Sequence, residues 1–80
     1  MNRPPEALQV LVKTGEARRL RKAAGISLTT MAAGIGVSPA VLSQSERGRV
    51  SPAGVPARAW LRVLRGLAWH EQAAQVREPL

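Results

Sequence analysis

The chain has no cysteine, phenylalanine, tyrosine or aspartate among its 80 residues. Without cysteine there is neither a disulfide nor a thiolate metal site, so stability rests on packing or on a partner subunit. A reducing, cytoplasmic location is compatible with that usage. Two tryptophans are the only aromatic residues, so the core must be built mainly from Leu, Val, Ala, Ile and Met. The missing aspartate leaves five glutamates against twelve Lys and Arg, a formal net charge of +7. No apolar run approaches the ~18 residues of a membrane span. The N-terminal residues show neither the apolar region nor the cleavage site of a signal peptide.

Catalytic motifs are missing too. His70 is the sole histidine, which excludes a multi-histidine metal cluster. His70-Glu71-Gln72-Ala73-Ala74 opens like the zinc-protease HExxH but has no second His. Gly34-x-Gly36 is followed by Pro39 where a dinucleotide fingerprint needs Gly, and no P-loop is found. A Ser-His-Asp triad cannot be assembled without Asp. The expectation is a protein that is not an enzyme, with no cofactor, no metal and no small-molecule ligand.

Eighty residues make one small domain. Ala- and Leu-rich sequence with few β-branched runs favours helix. After a Pro-containing start at Met1 to Pro5, Pro4-Pro5-Glu6 reads as a helix entry. Ala7, Leu8, Leu11 and Val12 carry a short helix to about Lys13, and Thr14 is a plausible N-cap for the next. Glu16 to Ala24 is a second helix, with Ala17, Leu20, Ala23 and Ala24 as its apolar stripe and Gly25 as its C-cap. Its run Arg18, Arg19, Arg21 and Lys22 suits either a solvated face or a phosphate backbone.

Ser27 to Arg49 organises the rest. Ser27 caps a helix from Leu28 to about Gly34, with Met31, Ala32 and Ile35 inward. Gly36 lies where the chain reverses, and Ser38-Pro39 is a strong helix start. Leu42 is the inward residue of the helix that follows, helped by Val41, and Gly48 stops it. Two helices joined by a short Gly-containing turn form a helix-turn-helix. Arg49 to Pro56 is a turn-rich loop. Pro56 starts a further helix with Trp60, Leu61, Val63, Leu64 and Leu67 on one side and Arg58, Arg62 and Arg65 on another. Ala68 to Val76 either extends it or forms a fifth short helix, and Glu78-Pro79-Leu80 is a frayed end.

From Gly15 to Leu67 the chain resembles the helix-turn-helix domain of phage repressors and Cro proteins, the XRE-like family. The pieces are Gly15-Glu16-Ala17-Arg18-Arg19-Leu20-Arg21, Gly25-Ile26-Ser27, Met31-Ala32, Gly36-Val37-Ser38, Leu42-Ser43 and Glu46-Arg47-Gly48, in order at the family's spacing. The resemblance implies an all-α, four- to five-helix, lambda-repressor-like bundle. Residues 1–14 would be an N-terminal arm and short helix, 15–67 the DNA-binding domain, and 68–80 a helical extension. The implied function is sequence-specific binding of double-stranded DNA by a small Cro- or repressor-type transcription regulator, with recognition helix Ser38 to Ser45 in the major groove.

The resemblance also implies residue roles. Gln44 takes a base-contact position, with Ser38, Pro39, Ala40 and Ser43 beside it. Thr29, Arg47 and Arg49 would meet backbone phosphates. Arg21 and Glu46 match the family's pair tying its first helix to the recognition helix; otherwise they are unrelated surface charges. A homodimer is expected, with Trp69, Ala73 and Val76 as contact candidates, although Trp69 could equally be a core side chain. The chain departs from the family pattern in several places. Leu28 replaces a frequent phosphate-binding Gln, Ser45 stands where a buried apolar residue is usual, and Gly34 weakens its helix. The loop through Pro52 to Pro56 is about three residues longer than typical, by the same comparison of spacing. A protein-interaction module of the same fold, such as an antitoxin or anti-activator, is the alternative from another class. A basic helix on a membrane would fit Ala57 to Leu67 alone.

Overall fold

A computed structural model describes residues 5–51 and 53–76, the side chains of residues 75 and 76 excepted. Met1 to Pro4, Pro52, the Glu78-Pro79-Leu80 end and the Val76 side chain lie outside the described residues. Within them the protein is all-α, with α1 (Glu6–Lys13), α2 (Glu16–Ala23), α3 (Leu28–Ile35), α4 (Pro39–Glu46) and α5 (Gly54–Val76), and no strand.

Each of the first four helices has only eight residues, too short to persist alone in water. Packing holds them. Leu8 from α1, Ala17 and Leu20 from α2, Met31, Ala32 and Ile35 from α3, and Leu42 from α4 close around Ala57, Trp60, Leu61 and Leu64 of α5. Ala17, Ala32, Ala57, Trp60 and Leu64 are wholly inaccessible. The small methyls let helix backbones approach closely while the single buried Trp supplies the bulk. Because α1 contributes Leu8 and half-buried Leu11 and Val12, it belongs to the same core as the other helices.

The termini follow the capping signals with one exchange of roles. Ser27 Oγ accepts from the Thr30 N–H and Ser38 Oγ from the Val41 N–H, capping α3 and α4. Thr14, by contrast, closes α1 rather than opening α2. Its hydroxyl donates back to the Val10 carbonyl at 2.8 Å, and left-handed Gly15 (φ 81°) stands at the head of α2. At the end of α2 the cap is Ala24, followed by left-handed Gly25. There the Ile26 N–H reaches the Arg21 carbonyl and the Gly25 N–H that of Lys22, the two bonds of a Schellman motif. The same pair of bonds ends α4, from Arg49 to Gln44 and from Gly48 to Ser45.

Three apolar assignments from the sequence are corrected. Ala23 and Ala24 are exposed, bordering a groove of about 260 Å³ between α2 and α5 that their short methyls do not cross. Val41 is 40% exposed, because it stands about 100° round α4 from buried Leu42. The long helix starts at Gly54, two residues before the expected Pro56. Pro56 therefore lies in the first turn, where a missing N–H breaks no helical bond. Downstream, Ala68 onward continues α5 without a break and forms no separate helix. At about 1.5 Å per residue, α5 is some 34 Å long, in a body of 48 by 24 by 20 Å.

Candidate nucleic-acid interface

Two eight-residue helices, α3 and α4, pack against each other across the turn Gly36-Val37-Ser38. Gly36 has φ 82°, a left-handed conformation that a Cβ would strain. Half-buried Val37 then turns inward against the core, so the reversal is pinned on both sides. The result is a helix-turn-helix with α4 as its second helix.

α4 has a divided surface. Leu42, Ser45 and Glu46 are buried, at spacings that define the inward face. On the opposite face, Ala40, Gln44 and Arg47 follow at i, i+4 and i+7, with Ser43 and Val41 at its two margins. Ala40 and Arg47 are exposed and Gln44 and Ser43 half-exposed. Ser38 and Pro39 are exposed at the helix start. Ser38 Oγ spends a lone pair on the Val41 N–H, which leaves its O–H free to donate. Thr29 is exposed in the first turn of α3, where backbone N–H groups favour an anion. Arg49, just beyond α4, is exposed as well. Exposed Val41 is the residue sequence reasoning missed on this surface; counting 100° steps from Leu42 would have found it.

The orientation of α4 depends on a buried ion pair. Arg21 Nε donates to Glu46 Oε2 at 2.7 Å and a second guanidinium nitrogen to Oε1 at 3.1 Å. The third donates to the Ile26 carbonyl at 2.8 Å. The side chains are 8% and 3% exposed, so the structure joins α2, the α2–α3 link and the end of α4 at one buried guanidinium whose three nitrogens each donate a bond. Arg21 is thus inside, although its neighbours in sequence are surface cations.

Elsewhere the basic run divides. Arg19 is clamped between Glu16 and Glu71, with four contacts of 2.7 to 2.9 Å that link α2 to the far half of α5. Its hydrogen bonds hold both carboxyls below the ordinary glutamate value of 4.5 and push its own pKa upward. Folded carboxyls with lowered pKa stabilise fully above the unfolded value and lose that contribution as pH falls through the folded one. Thermal melts taken downward from pH 5 should therefore show a loss that Arg19→Ala makes shallower; equal acid profiles would deny the clamp a role. Among the described residues, Arg19 and Arg21 are the cations held by carboxylates. Lys13, Arg18, Lys22, Arg47, Arg49, Arg58, Arg62 and Arg65 are exposed and outside any ion pair.

Among the described residues, two buried polar atoms lack a hydrogen-bond partner, Trp60 Nε1 and Ser45 Oγ. Leaving such a group unsatisfied costs about 1–3 kcal/mol. On α5, Trp69 is 65% exposed and meets His70 edge-on, with ring centroids 5.1 Å apart. A core role for Trp69 is thereby excluded; Ala73, one turn on, is also exposed. No described helix is long and apolar enough to cross a membrane.

Fold and surface together define an all-α protein built around a helix-turn-helix. A family model described as a helix-turn-helix domain matches residues 15–76, from the head of α2 to the end of α5, and the chain belongs to that family. No curated protein and no solved structure matches the chain. The family match agrees with the XRE-like resemblance and makes DNA binding the coarse functional assignment. α1 lies outside the matched span.

Proposed function

We propose that the protein is a sequence-specific DNA-binding transcription regulator of the small Cro or repressor type, working as a homodimer. The observation that carries this reading is the outward stripe Ala40, Gln44 and Arg47 on α4, flanked by exposed Arg49 and free of carboxylates. Gln44 reads a base edge, most naturally adenine through its two-pronged amide. Ser38 and Ser43 donate to bases or phosphates, and Pro39 and Ala40 make apolar contact, as with a thymine methyl. Thr29, Arg47 and Arg49 hold the backbone. With one strong hydrogen-bonding reader per subunit, specificity leans on DNA shape and half-site spacing.

Trp69 and Ala73, one turn apart on the exposed side of α5, form the dimer contact. Two copies would set their recognition helices about 34 Å apart, in successive major grooves. Selection of bound duplexes from a random pool at fixed salt tests the whole reading. A palindrome with half-sites about one helical turn apart is the expected product. If nothing is enriched, a protein-binding role on the same fold takes its place. Arg49→Ala should weaken binding to every sequence alike and lower the slope of log K against log salt by about 1. An unchanged slope would remove Arg49 from the phosphate contacts.

A further inference from the structure

A groove of about 370 Å³ runs between α1 and the end of α4. Leu8 and Val12 form its apolar wall, Val50 of the following loop faces them, and Lys13 and Arg47 stand at its edge. Among the described residues, no acidic side chain lines it and neither cation is engaged by a carboxylate. Its size falls in the range of small-molecule sites. Ser45 supplies a second, independent observation. It also lines the groove, is 2% exposed, and carries one of the two buried polar atoms without a partner among the described residues. Its hydroxyl, enclosed behind the groove's lining, is a donor without a partner among the described residues.

We propose that this groove binds a small amphipathic anion, its apolar part against Leu8, Val12 and Val50 and its charged head between Lys13 and Arg47, close to the Ser45 hydroxyl. The sequence alone pointed to no small-molecule ligand, because nothing in it shows that α1 and the end of α4 border one groove. Since Arg47 belongs to both surfaces, an occupied groove withdraws a cation from DNA; this second step rests on the DNA-binding reading, whereas ligand binding does not.

Octanoate serves as the probe, with acetate as head alone and 1-octanol as tail alone. Amide chemical shifts of the DNA-free protein are followed at concentrations below micelle formation. The expected result is saturable binding on the order of millimolar, typical of so small a ligand, with shifts concentrated in α1 and residues 45–51. Acetate and octanol should each bind at least several-fold more weakly. Ser45→Leu fills the floor and should abolish binding. Ser45→Ala keeps the space, so it should still bind but more weakly, and it guards against misfolding of the larger variant. Shifts concentrated on the Arg58, Arg62 and Arg65 face, equal binding of all three probes, or octanoate binding that Ser45→Leu leaves intact would overturn the proposal, as would absence of saturation. Octanoate added to a DNA titration should then weaken binding of the parent protein and spare Ser45→Leu. A protein that binds octanoate in the groove but no DNA would sink the regulator reading and leave the site standing.

Discussion

Glu46→Ala should lower stability by about 3–5 kcal/mol, the usual result of stripping one partner from a buried ion pair. Arg21 would retain only its bond to the Ile26 carbonyl and would sit uncompensated at 8% side-chain exposure. In a domain of this size the melting temperature should fall by more than about 10 °C. Two controls separate mechanism from mere truncation. Replacing both partners with apolar residues of similar volume should recover much of the loss, because the penalty comes from the stranded charge. Glu16→Ala, at a solvated pair, should have a far smaller effect. A melting temperature unmoved by Glu46→Ala would show that the pair contributes nothing to the fold.

Gln44→Ala carries the largest expected effect on recognition, about 1–3 kcal/mol at the selected site with relaxed preference at one base position. Folding should be nearly untouched, since Gln44 lies on the outward stripe of α4, and its backbone carbonyl, which receives the Arg49 N–H, is retained. Binding to unrelated DNA should also persist, because Arg47 and Arg49 are unaltered. The contrast with Arg49→Ala is therefore diagnostic: one variant loses discrimination, the other loses affinity for all sequences. If Gln44→Ala keeps both its affinity and its base preference, the reading face lies elsewhere on α4, with exposed Val41 and Ser43 next to be tested.

Helix identity was legible in the sequence because it is decided locally. Ser27 and Ser38 each provide a hydroxyl to the first turn that follows, and Gly36 and Gly48 take conformations that a Cβ would oppose. Met31, Ala32, Ile35 and Leu42 recur at helical spacing and are buried. Side-chain fate within the basic run was less legible. Arg18, Arg19, Arg21 and Lys22 are indistinguishable by type. Yet Arg21 is inside, Arg19 is clamped by two carboxylates, and Arg18 and Lys22 are exposed. One of the clamping residues, Glu71, lies 52 positions away, and no local rule selects it.

The sequence by itself determined the Ser-capped starts of α3 and α4, the helix-turn-helix they form and the basic character of the surface, since capping, glycine and charge act within a few residues. Tertiary structure alone decided that α5 runs unbroken to Val76, that Trp69 is exposed while Trp60 is enclosed, and that α1 and the end of α4 leave a groove over Ser45. Burial depends on which face of each helix meets another. That is settled only when all five pack at once around a core with a single large aromatic residue.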